Sequence, residues 1–359
     1  MLLAFLYYFV FAYLYKLVVS GPAQTWEGIS ISCRDNDDSP VDWWYIYKPP
    51  ADKLDYTDDG SPFIYVTSRQ SDKRWNYPRK TIMGNSLLYN TLAPSYRPTY
   101  SAHMASIFFE VPSTGRRTNQ SMQGFMLADE LGGVLVLHTV PGFPTSYTKR
   151  THWPSNELKH GHLFTCLSLS LEDLVYAGAT IARLSPTVKY RQMPGKLEPA
   201  LHSWDFRSKV EPHKIFFSPL STKGGQQFIL YLRTPRTIGC LYRTFAKEHE
   251  QMMNVYGPGK PANVCRPRFG IRRIDMICLK EPDSSPFYIN QDFNEDKISF
   301  GVSTAASWQD TLTSKPEYWT CISNLAMSDS SGAPGFMLCT NHYEIWQAFD
   351  NLKVAEPKC

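Results

Sequence analysis

The stretch GFMLADELGGVLVLHTVPGFP, residues 124–144, decides the fold. An apolar run leads into a turn at Glu130 to Gly133, and a second apolar run continues to a stop at Pro141. Two apolar runs of strand length around a short glycine-bearing turn predict a β-hairpin. Working outward, VDWWYIYKPP (41–50) reads as a strand that ends at Pro49, MASIFFEV (104–111) as a buried strand and HLFTCLSLS (162–170) as another. LEDLVYAGATIARL (171–184) reads as a helix, and the proline-bearing stretch 186–199 as a connector. Beyond it, KIFFSPL (214–220), QQFILYLRT (226–234) and KISFGVS (297–303) read as strands. CLYRTFAKEHEQMMNVYG (240–257) reads as a helix that stops at Gly257, and NHYEIWQAFDNL (341–352) as an amphipathic helix capped by Asn341. This order predicts mixed α/β (α+β) architecture in two lobes joined near residue 190.

The chain of 359 residues is long enough for a sizeable core, and 43% hydrophobic with 19% charged residues is ordinary for a globular protein. Abundant aromatics, Pro 26 and Gly 21 favour strands and loops over a helical bundle. A net charge of +4 does not by itself call for a nucleic-acid partner. The local cluster Arg266, Arg268, Arg272 and Arg273 reads as a solvated loop.

Residues 2–15 (LLAFLYYFVFAYLY) carry no charge, and Lys16 interrupts the apolar run. The run is short for a membrane span and suits a signal peptide over 1–23, with small residues at Gly21 and Ala23; the rival reading is an uncleaved anchor. Eight cysteines follow, at 33, 166, 240, 265, 278, 321, 339 and 359, with no C-x-x-C pair. An even count behind a leader implies disulfides in an oxidising compartment rather than a zinc ribbon. Asn119-Gln120-Ser121 is a glycosylation sequon. His160 and His162 have the spacing of metal ligands on one strand face, but two such residues read better as a surface pair. Neither a metal nor a cofactor is expected.

Several of these segments resemble the deoxyribonuclease II family. CRDNDDSPVDWWYIYKPP (33–50) is similar to its opening Cys…Val-Asp-Trp…Tyr-Lys-x-Pro strand, residues 124–144 to its hairpin and His-Ser-Val-Pro-x-Phe-Pro segment, and Trp319-Thr320-Cys321 with Leu338-Cys339 to its C-terminal pattern. The resemblance implies a phospholipase D-like fold, with a lobe over 24–190 and a second over 191–359. It also implies the disulfides Cys33–Cys166, Cys321–Cys339 and Cys278–Cys359, which leaves Cys240 and Cys265 to pair with each other.

In that family each lobe supplies a His-x-Lys motif. One imidazole attacks phosphorus, the other protonates the leaving oxygen, and two lysines hold the charge that builds on the phosphate, without a metal. The first motif immediately precedes the glycine that opens the hairpin. Here that glycine is Gly124, so Ser121 and Gln123 occupy the His and Lys positions. The second motif, His-Ser-Lys-Trp, matches Ala305-Ala306-Ser307-Trp308, in which Trp308 alone is kept. Among the nine histidines none is followed two residues later by Lys, so no His-x-Lys exists in any register. His138 stands where the family has a supporting histidine, and it also reads as a strand-end residue bonded to the backbone before Pro141. The sequence therefore points to a secreted glycoprotein on a nuclease fold that binds rather than cuts, with an acid endonuclease of rearranged site as the alternative. A lysosomal protein that retains DNA without cleaving it is a third reading. The partner and the oligomeric state are unknown from sequence, DNA is not supported by charge, and no stable membrane anchor is expected once the leader is removed.

Overall fold

A computed structural model describes residues 30–51, 62–70, 74–97, 103–111, 122–147, 149–206, 211–258, 264–265, 269–279, 287–290, 298–304, 317–325 and 332–354. From Ile31 onward they form a single compact unit. The leader, the sequon at Asn119 and Cys359 lie outside the described residues.

The expected hairpin forms as β4 (Met122–Asp129) and β5 (Gly132–His138), turning at Glu130 and Leu131. Gly132 takes φ +123, a conformation open to glycine, as the second strand starts. Around the hairpin lie β1 (Trp43–Lys48), β2 (Ile64–Thr67), β3 (Ala105–Val111), β6 (His162–Leu169) and β7 (Thr187–Gln192). They make a seven-stranded sheet in the order β2-β1-β6-β5-β4-β3-β7, antiparallel throughout.

A second sheet has eight strands: β8 (Ile215–Ser221), β9 (Gln227–Arg233), β10 (Met252–Tyr256), β11 (Val264–Cys265), β12 (Gly270–Arg273), β13 (Ser299–Ser303), β14 (Trp319–Ser323) and β15 (Gly335–Asn341). Its order is β8-β9-β15-β14-β13-β10-β12-β11, and only β10 and β12 pair in parallel.

Both faces of each sheet are covered, which is why the strand sequences are continuous apolar runs. Side chains alternate across a strand. Trp43, Tyr45 and Tyr47 of β1 therefore enter a core shared with Met126, Leu135, Leu230, Phe300, Ile322 and Leu338 of the two sheets. Helices α2 (Leu171–Ala182) and α4 (Tyr343–Asp350) add Leu174, Ile181, Ile345 and Phe349 to that core. Trp44 and Ile46 turn to the opposite face with Phe125, Val136 and Phe164, beneath α1 (Leu87–Leu92) and the loop residues Val140 and Phe143. The outer face of the second sheet, with Tyr231, Met253 and Met337, lies under α3 (Leu241–Glu248). Ser170 caps α2 by accepting from the Asp173 N–H. Gly178 lets Trp204 pack directly on this helix, since a Cβ there would stand 2.5 Å from the indole.

The hairpin between β8 and β9 is pinned to the first sheet. Asp42 accepts from the Gly224 N–H at 2.6 Å and from the Thr222 hydroxyl, while the Lys223 N–H donates to the Ser168 carbonyl at 2.8 Å. Two of the expected disulfides are present. Cys33–Cys166 ties the short ribbon before β1 to β6, and Cys321–Cys339 joins directly opposed residues of β14 and β15. Cys278 has no disulfide partner among the described residues, and its expected partner is Cys359. Cys240 is buried at the start of α3.

Several expectations need correction. Residues 186–199 are not merely a connector, because Thr187–Gln192 pairs with Ala105–Val111 as an edge strand. Its half-exposed pattern with Lys189 and Arg191 hid it among polar residues. The helix from 240 ends at Glu248: Glu250 takes φ +50, and Met252–Tyr256 is a central strand. Asn341 ends β15 instead of capping α4, whose N-cap is His342. Its Oδ1 instead accepts from the Tyr318 N–H at 2.9 Å. Arg272 and Arg273 are half-buried in β12, with Arg273 held 2.9 Å from Asp275, rather than in a solvated loop; Arg266 and Arg268 lie outside the described residues.

The Cys33–Cys166 bridge spans 133 residues. On the chain-entropy model, replacing both cysteines by Ala lowers stability by about 4–5 kcal/mol. Urea unfolding of the oxidised protein and of this variant checks the value.

Candidate functional site

The first strand of the hairpin starts immediately after Ser121, and Gln123 is its second residue. Gln123 faces Glu110 of β3 on one side and His138 of β5 on the other. By strand alternation these side chains share the outer face with Phe125, Val136 and Phe164. The structure thus brings Gln123 and His138 together as cross-strand partners. Ser121, Ala305, Ser307 and Trp308 lie outside the described residues.

Gln123 is 2% exposed and brings an amide where a cation was expected by family pattern. The charge next to it is a carboxylate, since Glu110 is its ladder partner; Lys189 of β7 binds that carboxylate at 2.8 Å. The hydrogen bond and charge of Glu110 hold the Lys189 ammonium above its ordinary range, so this cation is committed to its neighbour.

His138 is fully buried. Its ring stacks on Phe164 at 4.9 Å and meets the edge of Phe143 at 5.5 Å. Nδ1 accepts from the Val140 N–H at 3.3 Å, the backbone bond just before Pro141. That bond leaves the proton of the neutral ring on Nε2, which has no partner among the described residues. Burial, followed by the charge of His162, pushes its pKa well below 6.5. A neutral imidazole in a dry aromatic pocket is poorly placed to exchange protons with a substrate.

Two strands away, Lys48 and His162 face each other across β1 and β6. Both are fully buried, so His160 and His162 are not a surface pair: His162 opens β6, and half-buried His160 precedes it. The Glu157 carboxylate stands 3.1 Å from His162 Nε2, and Thr139 Oγ1 lies 3.2 Å from Nδ1. Lys48 donates to the carbonyls of Leu158 and His160, the latter at 2.9 Å, and its ammonium sits 5.9 Å from the centre of the Trp153 ring. Lys48 belongs to the Tyr-Lys-Pro segment that carries the family resemblance. Glu157 comes from a loop with no sequence signal of its own.

In the second sheet, the strand that leads toward Ala305 ends in a hydrogen-bonded knot. Ser303 Oγ accepts from the Trp319 N–H and donates to the Glu317 carbonyl, each at 2.9 Å. The Glu317 carboxylate accepts from Trp319 Nε1 at 2.6 Å and from Gln251 Nε2 at 3.0 Å. His249 stacks on Phe245 at 4.2 Å and meets the Tyr231 hydroxyl at 3.1 Å through Nε2. Burial lowers its pKa, with Glu317 and Glu248 opposing the shift. His249 escaped sequence reasoning because the segment 240–257 read as one helix. Among the described residues no group of three His, Cys, Asp or Glu is placed to hold a metal ion.

A model of the family described as Deoxyribonuclease II matches residues 32–359. The chain belongs to the deoxyribonuclease II family. It is similar to Plancitoxin-1 of Acanthaster planci, at 21% identity over 91% of this chain and 92% of that protein. It is also similar to Deoxyribonuclease-2-alpha of Rattus norvegicus, at 21% over 92% and 95%, and to Deoxyribonuclease-2-beta of Homo sapiens, at 21% over 92% of each chain. In this deoxyribonuclease II-family protein the hairpin strand that follows Ser121 carries buried Gln123.

The buried ion pair gives a direct test. Glu157→Ala leaves His162 without its carboxylate partner and lowers stability at neutral pH by about 3 kcal/mol, as breaking a buried pair does. Glu157→Gln, which keeps the shape, costs less. Thermal and urea unfolding of both variants read the difference.

Proposed function

We propose that this deoxyribonuclease II-family protein is a secreted glycoprotein that does not hydrolyse DNA and acts by binding. The observation that carries the reading is the absence of any His-x-Lys in the chain, with Ser121, Gln123, Ala305 and Ser307 at the family positions. Phosphodiester hydrolysis needs a very large barrier reduction. The family mechanism draws it from a covalent nucleophile, a general acid worth about 10²–10⁴-fold by itself, and two fixed cations. Ala305 has no proton to give, and Gln123 and Ser307 have no charge. The nearest cation, Lys189, is taken up by Glu110, and His138 is enclosed with its pKa held well below 6.5 by burial. Removing one member of a set that works as a unit already abolishes most activity.

Secretion rests on a cleaved leader over 1–23, with the lysosome as the alternative destination. Among the described residues no helix is long and apolar enough to cross a membrane. Four disulfides fit this setting. The Cys278 N–H donates to the Leu352 carbonyl at 2.9 Å, so the tail that carries Cys359 departs from beside Cys278. That placement favours the Cys278–Cys359 bridge, and Cys240 with Cys265 completes the set. Lobes over 24–190 and 191–359 keep the two sheets apart, save for the last two residues of β7. A glycan on Asn119 would stand two residues from Ser121 and crowd the position of the first motif.

Purified protein incubated with supercoiled plasmid at acidic pH in chelator leaves the plasmid intact, whereas Deoxyribonuclease-2-alpha from rat run alongside nicks it. The pair Ser121→His with Gln123→Lys remains inactive, because the second half-site is still Ala305 and Ser307. Clear cleavage by the unmodified protein overturns the reading. Glycosidase treatment lowers the mass of the secreted protein, and Asn119→Gln abolishes that shift at its site.

A further inference from the structure

The connection between β5 and β6, residues 139–161, crosses the outer face of the first sheet and is described except for residue 148. It is fastened to the sheet at both ends and closed on itself near its middle. Thr139 exchanges hydrogen bonds with Leu163: its N–H donates to the carbonyl, and its Oγ1 accepts from the N–H, each at 3.2 Å. Thr151 Oγ1 accepts from the Thr145 N–H at 2.7 Å. Near the far end, Glu157 holds His162 and Lys48 holds two carbonyls of the segment. Between these fastenings Phe143 and Trp153 pack on each other at 5.9 Å and cover Phe164 at 5.6 and 5.9 Å.

The ionisable groups under this cover are one ammonium, one carboxylate and three imidazoles. Lys48 faces it from β1, His162 from β6 and His138 from β5, while the segment itself brings Glu157 and half-buried His160. From β4 comes uncharged Gln123, beyond which Glu110 and Lys189 neutralise each other. Glu157 is the single carboxylate among these groups, set against one buried ammonium. A proton added to His138 would place a positive charge between the rings of Phe143 and Phe164 and near His162, with no acceptor at Nε2 among the described residues.

We propose that residues 139–161 form an acid-released strap, which lifts from the sheet when His138 is protonated and exposes the aromatic face of Phe143, Trp153 and Phe164. Opening admits water to the imidazolium and costs the contacts of one connecting segment, the kind of local opening that stops short of global unfolding. The direction follows from burial, which holds the closed-state pKa of His138 below 6.5. The closed form therefore keeps its full stability above the ordinary histidine range and loses it as pH falls toward the lowered value. One imidazole with an open-state pKa of about 6.5 raises the opening equilibrium about 25-fold between about pH 7 and about pH 5. The strap operates whether or not the protein hydrolyses DNA.

Hydrogen exchange on the intact, disulfide-bonded protein tests it. After correction for the intrinsic pH dependence of exchange, peptides covering 149–160 lose protection about 25-fold from about pH 7 to about pH 5, while peptides from α2 do not change. His138→Phe retains the ring packing without the titration, and its strap stays protected in acid. Acrylamide quenching of tryptophan emission in the unmodified protein, which includes Trp153, rises over the same range. Equal protection of the strap at both pH values in the unmodified protein overturns the proposal. So does the same acid loosening in a folded His138→Phe variant.

Discussion

The structure depends on the burial of both faces of both sheets. A sheet with one wet face tolerates alternation, but one covered on each side must be apolar at nearly every position or supply a partner for each polar group. The strand Trp43–Lys48 shows both outcomes: five apolar or aromatic residues divide between the two cores, and the sixth, Lys48, sends its ammonium to backbone carbonyls. The shared inner core couples the sheets through α2 and α4. Asp42 extends that coupling to the β8–β9 hairpin by accepting bonds from Thr222 and Gly224.

The outer faces are where polar chemistry enters. On the first sheet Gln123, His138, His162 and Lys48 sit at one end of a surface that is otherwise aromatic and aliphatic. On the second, Glu317, Gln251 and His249 cluster at the end of β13 and β14. Gln123 is enclosed, Lys189 is bound to Glu110 and Glu317 is bound to Trp319 and Gln251.

Much of this was legible in the amino-acid sequence. Residues 124–144 alone specify a hairpin, because two apolar runs around a glycine turn have few other ways to bury themselves. The missing His-x-Lys pairs need no coordinates, since their absence holds in every register. The Cys33–Cys166 and Cys321–Cys339 bridges followed from the family resemblance. Elements governed by local chemistry, such as the α2 cap at Ser170, are encoded within a few residues of themselves.

What required the tertiary structure is whatever depends on residues far apart in the chain. The strand Thr187–Gln192 is polar and half-exposed, and only its pairing with Ala105–Val111 makes it a strand. Met252–Tyr256 carries helix-compatible residues, yet its neighbours on both sides are strands and Glu250 breaks the helix before it. His162 looked like half of a surface pair until Glu157 and Lys48 were found enclosing it. The buried cluster of Lys48, His138, Glu157 and His162 draws on two strands, a strand end and a loop. Its charge balance exists only after the sheet forms, because the sequence specifies which groups are present and the fold alone determines which of them lose their water together.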